Sequence, residues 1–172
     1  TEKEMGKKVK ETSIYKQALA RVVALLNDSG PPWPQKPADY GESYEFPQDI
    51  TSLSPKYLGR LQSRLAGWEG YTQYLLGRAD VELALLQNSY DIALHEKMAA
   101  LQNGGSACKL KSTLTAEALA AVLELKEATY TLAEKRAVVT LLKSQKSIYD
   151  TQRHAASREQ SRRADELRHR LA

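Results

Sequence analysis

Residues 54–102 read SPKYLGRLQSRLAGWEGYTQYLLGRADVELALLQNSYDIALHEKMAALQ, and this stretch decides the fold. Ser54 is a favoured helix cap and proline is tolerated at the first helical position, so a helix is expected to start here. Leu58, Leu61, Leu65, Trp68, Leu75 and Ala79 then recur at spacings that put side chains on one helical face. After Ala79 the stripe shifts to Leu83, Leu86, Tyr90, Ala93, Leu94, Met98 and Leu101, as a stutter in a coiled coil would. Gly59, Gly67, Gly70 and Gly77 lie inside the first half. Each costs about 1 kcal/mol against alanine in a helix interior, and such positions allow a close approach or mark a kink.

Downstream, the segment from Asn103 to Lys111 contains Gly104-Gly105 and reads as a short loop. A return helix follows from about Thr115 to Leu171, with Thr115 as its expected cap and Glu117 in its first turn. Leu125, Leu132 and Val139 form one seven-residue column, and Ala128, Leu142, Tyr149 and Ala156 form another. Lys135, Arg136 and Lys146 interrupt the pattern. Large apolar residues nearly vanish between Tyr149 and Leu167, so the terminal helix has little to bury by itself. It is expected to be solvated, docked in an oligomer or ordered by a partner.

Upstream, residues 1–12 are polar and read as a frayed start, and Ser13 to Asn27 reads as a short helix. Ile14, Ala18, Val22, Leu25 and Leu26 share a face of it, and Gly30-Pro31-Pro32 stops it. Residues 30–53 combine Pro31, Pro32, Pro34, Pro37 and Pro47 with Trp33, Tyr40, Tyr44 and Phe46. This is more aromatic than a linker needs. Three readings follow: a strap packed on the hairpin or on a neighbouring subunit, a stacking platform for single-stranded nucleic acid, or a tether. The fold class is therefore all-α. A long antiparallel helical hairpin (54–172) follows an N-terminal tail and short helix (1–29) and an extended Pro/aromatic strap (30–53). Alternating β-branched and aromatic runs, which strands require, are absent. A hairpin with so thin a seam is marginal as a monomer. Trp68, Tyr71, Tyr74 and Leu76 are left over as apolar positions, which favours a homo-oligomer.

The 172 residues carry a formal charge of +4, unevenly distributed. From Lys143 onward eight Lys/Arg face four acids. An acidic partner such as nucleic acid suits that tail. The alternative is a solvated helix face held by Arg/Glu pairs, since Arg158/Arg162 and Glu159/Arg163 stand at the i, i+4 spacing. Catalytic constellations are missing. His95, His154 and His169 are scattered, and Cys108, although beside Lys109 and Lys111, has no His or Asn/Asp context to make it a nucleophile. The expectation is a protein that is not an enzyme, with no metal and no cofactor. No apolar run approaches the ~20 residues of a membrane span. The charged stretch from Thr1 to Lys8 is not a secretory signal and reads as a mature start after Met removal. A single cysteine fits a reducing cytoplasm. His95, Lys97, Lys109 and Lys111 flank the glycine loop and form a candidate basic tip. Arg158, Arg162 and Arg163 form a candidate basic tail. Trp33, Tyr40, Tyr44, Phe46 and Trp68 are candidate packing or oligomer contacts.

Several motifs stand in a recognisable order. Asp49-Ile50-Thr51-Ser52-Leu53 leads into a long helix with Trp68. Ala93-Leu94-His95-Glu96-Lys97 precedes Gln102-Asn103-Gly104, and the return helix carries Ala156-Ser157-Arg158-Glu159. Over about residues 49–165 this order resembles the UvsY-type recombination mediators of tailed phages. The resemblance implies a small helical oligomer that binds single-stranded DNA. Such a protein helps a RecA-like recombinase displace single-strand-binding protein. It maps the family's basic pair onto His95 and Lys97, the first of which is a histidine here. The N-terminal helix and the strap have no counterpart in that pattern. The rival expectation is a structural subunit of a phage virion or another oligomeric adaptor.

Overall fold

The computed structural model describes residues 17–25, 27–28, 30–38, 45–103 and 110–171. Among these the regular structure is helical and no strand occurs. Helix α1 covers 17–25 and 27–28. A 3-10 turn at Ile50–Ser52 precedes α2 (Pro55–Asn103), α3 (Lys111–Ala121) and α4 (Leu123–Leu171). The helices α2 and α4 are the long pair, and they pack together within each of two compact units.

The first unit comprises Thr1–Pro32 with Arg78–Val139. Leu114 and Ala118 of α3 and Leu125, Leu132 and Val139 of α4 are buried in it. The Thr115 hydroxyl meets Met98 Sδ at 3.7 Å, which sets α3 against the last turns of α2. Lys135 interrupts the apolar column of α4, and the fold satisfies it: its Nζ lies 2.6 Å from Glu82 Oε2. Arg136, outside the column, donates to Gln87 Oε1 at 2.5 Å.

The second unit comprises Trp33–Gly77 with Thr140–Ala172. Its core joins Leu61 and Leu65 of α2 to Tyr149 of α4, with Phe46, Ile50, Leu53 and Trp68 packed around them. The α2 stripe continues through Thr72 and Leu76, both buried, whereas Leu75 is half-buried. The expected position is thus shifted by one residue, because a 3.6-residue period passes through 72 and 76 as readily as through 75. Arg153, again in the column of α4, sits 2.7 Å from Glu69 Oε2. The two helices run antiparallel here: Gly59 approaches Gln160, while Glu69 meets Arg153 further along.

Helix boundaries follow local chemistry at one end and depart from it at the other. The Ser54 hydroxyl accepts from Tyr57 N at 3.2 Å, capping α2 as its sequence demands. The return segment, however, starts at Lys111 rather than Thr115, after Leu110 in an extended conformation. Thr115 does not cap; its hydroxyl turns back to the Lys111 carbonyl at 2.9 Å, an arrangement common for threonine inside helices. The single return helix is also broken. Val122 adopts φ −130° and ψ 103°, and its carbonyl accepts from Leu125 N to open α4.

Candidate nucleic-acid interface

The candidate cations separate into two classes. Glu159 side-chain atoms are only 5 % exposed and lie between two arginines. Arg162 donates to both of its oxygens at 2.8 Å, and Arg163 Nε donates to Oε1 at 2.6 Å. Arg162 also engages Glu166. Arg163 reaches further, donating to the carbonyls of Leu53 at 2.7 Å and Thr51 at 2.9 Å. Arg163 ties α4 to residues 51–53, whereas the contacts of Arg162 stay within α4, and the i, i+4 pair Glu159/Arg163 expected of a helix face does form.

The second class is outward. Arg158 and Lys111 are exposed, His95 is exposed and Lys97 is half-buried. Among the described residues no ion pair engages Lys97, Lys111 or Arg158. His95, Lys97 and Lys111 belong to the first unit and Arg158 to the second. Lys109, Tyr40 and Tyr44 lie outside the described residues. Of the candidate packing aromatics, Trp68 lies 6.4 Å from Tyr149 in a stacked arrangement, and Phe46 packs on the same cluster. Trp33 packs against Tyr74 at 5.1 Å, a contact that no spacing rule in the sequence discloses.

Among the described residues, three carboxylates are held below their ordinary range. Hydrogen bonds from Arg162 and then Arg163 pull Glu159 from 4.5 to about 2. The hydrogen bond from Lys135 lowers Glu82, and that from the Thr51 hydroxyl lowers Asp49. A carboxylate whose folded pKa is depressed stabilises the fold above its unfolded pKa, and that contribution fades as pH falls toward the folded value. For Glu159 the window runs from about 4.5 down to about 2. Thermal melts followed by circular dichroism should therefore show the midpoint dropping across that interval, with a shallower drop in Glu159→Gln. Equal slopes in the two proteins would show that Glu159 does not contribute.

Among the described residues no three His, Cys, Asp or Glu side chains gather as a metal site, and no helix is long and apolar enough to cross a membrane. No protein-family model, curated protein or solved structure matches this chain.

Proposed function

We propose that this chain is a non-enzymatic, cytoplasmic, single-stranded-DNA-binding accessory protein of the mediator type, which works as a homo-oligomer and helps load a RecA-like recombinase. The observation that carries the reading is the division among its cations. Lys135 is paired with Glu82, Arg153 with Glu69, and Arg162 and Arg163 with Glu159. In a chain of net charge +4, the exposed Lys111 and Arg158 and the half-buried Lys97 have no ion pair among the described residues. Such cations suit a polyanion. Repetition of a weak basic patch around an oligomer raises avidity without one strong site. The resemblance of the motif order to UvsY-type mediators supports the choice of single-stranded DNA.

Self-association has its own support. Leu141 and Ile148 of α4, both in the second unit, are exposed at an i, i+7 spacing that keeps them in one narrow sector of the helix. This same observation favours the second reading, a structural subunit of a virion or another assembly.

The test is anisotropy of labelled single-stranded and duplex DNA across a salt series, with mass measured in the same buffers. The mediator reading expects oligomers that prefer single strands and a log–log salt slope of about −0.7 per phosphate contacted. Replacing Lys97, Lys109 and Lys111 with Ala should weaken binding and flatten that slope by up to about 2, with helicity unchanged. Oligomers that ignore DNA at low salt would leave only the structural reading standing.

A further inference from the structure

We propose that the face of α2 from Lys56 to Tyr74, with the proline segment beside it, is a stacking site for the bases of a single-stranded nucleic acid. The inference rests on the single-strand reading above and names where on the chain the strand is held. Lys56, Arg60, Arg64, Gly67, Tyr71 and Tyr74 follow at steps of three and four and so share one helical face. The first three are cations and the last two are rings. The proline segment lies on this face. Trp33 packs on Tyr74 at 5.1 Å, and Pro37 sits against Gly67, where an added Cβ would be 3.5 Å from the proline Cγ. Lys36 Nζ stands 5.9 Å over the Trp68 ring. Tyr74 is 6.1 Å from Tyr71, and Tyr71 is 6.4 Å from Trp68, which gives a continuous row of rings.

Trp68 ends the row at the core, where it packs on Leu61, Leu65 and Tyr149 with Phe46, Ile50 and Leu53; Trp33, Tyr71 and Tyr74 lie outside that cluster. Trp33 remains 38 % exposed. The charge is also one-sided. No Asp or Glu occurs between Lys56 and Trp68 or between 30 and 38, and the next acid, Glu69, is taken by Arg153. Lys56/Arg60 is a like-charge pair at i, i+4, which weakens a helix, and both side chains are exposed. Rings flanked by cations are what a single strand needs: the cations track phosphates, and any base has a face to stack. Paired bases in a duplex have no free face to offer.

The test uses the full chain with Trp68→Phe, which leaves Trp33 as the sole tryptophan. Trp33 emission and the anisotropy of labelled oligothymidylate are followed in parallel titrations. Emission should fall along the same isotherm as the anisotropy, and neither equal-length duplex nor heparin should reproduce the quenching. In the otherwise unaltered chain, Trp33→Ala and Tyr74→Ala should each weaken single-strand binding about tenfold, the scale of losing one base–ring stack. Strand binding by anisotropy with unchanged Trp33 emission, and with W33A binding like the parent, would overturn the site and leave the function standing. Equal quenching by heparin would reduce the face to a general anion patch and also overturn it. No anisotropy change at low salt would remove the single-strand function itself. Because the emission arm keeps both rings in place, it decides the matter even where an alanine variant loses its fold.

Discussion

Leu65→Ala is expected to cost about 3 kcal/mol, a loss in the range of large-to-small core truncations. Leu65 is fully buried and lies with Leu61 and Tyr149 at the centre of the cluster that holds α2 to α4. Only Leu58 and Leu114 are comparably large and fully enclosed among the described residues. So thin a core has little capacity to absorb a cavity. Against a typical total of about 5–15 kcal/mol, one such loss is a large fraction. Leu141→Ala is the control. Leu141 is also a leucine on a long helix but is 69 % exposed, so its truncation should stay within about 0.5 kcal/mol. Urea titrations followed by circular dichroism, with the joint emission of Trp33 and Trp68 as a second probe, give both numbers. A Leu65 loss no larger than that of Leu141 would show that the cluster is not what joins the helices. A drop in oligomer mass for Leu141→Ala at unchanged helicity would separately support self-association through the exposed sector of α4.

The sequence alone discloses most of the helix pair, because its signals are local. Ser54-Pro55 opens α2 and Gly104 follows its last residue, so both ends are marked by residues with strong backbone preferences. Leu58, Leu61 and Leu65, and likewise Leu125, Leu132 and Val139, repeat at the helical period and are buried. What escaped was non-local or lacked punctuation. Val122 breaks the return helix without glycine or proline nearby, in a run of good helix formers. Lys135 reads as an interruption of an apolar column, and its role emerges only with Glu82 opposite it, 53 residues away. The candidate interface divides in the same way. Arg162 and Arg163 look like part of a basic tail, and their Glu159 neighbour at helical spacing is legible. The reach of Arg163 to the carbonyls of Thr51 and Leu53 spans more than 100 residues and is not. The Trp33–Tyr74 contact is hidden for the same reason. Spacing shows that Arg60, Arg64, Tyr71 and Tyr74 share a face, but not that a proline segment brings a tryptophan to it.

Arg163→Ala should therefore free the turn at Ile50–Ser52 from α4 while leaving both long helices formed. The argument begins with Asp49, whose side chain accepts from Thr51 N at 2.9 Å and from the Thr51 hydroxyl at 2.6 Å. These bonds shape the turn but are internal to it. Tethering comes from Arg163, whose two guanidinium nitrogens donate to Leu53 and Thr51 carbonyls while Nε holds Glu159. One planar fork thus fixes a loop and an acid at once, a geometry lysine does not reproduce. Losing the charge-assisted bonds to the two carbonyls should cost about 2 kcal/mol. Ile50 and Leu53, which pack on the core cluster from that turn, should loosen with them. Hydrogen exchange should rise in 46–53 and in the first turn of α2, with little change near Lys135. Arg163→Lys should behave almost like the alanine variant, because the ammonium cannot reach both carbonyls and the acid together. Full protection of 46–53 in Arg163→Lys would mean that charge alone, not the fork, holds the turn. Unchanged exchange in Arg163→Ala would assign the anchoring to Ile50 and Leu53 and would return Arg163 to the set of cations available for a polyanion.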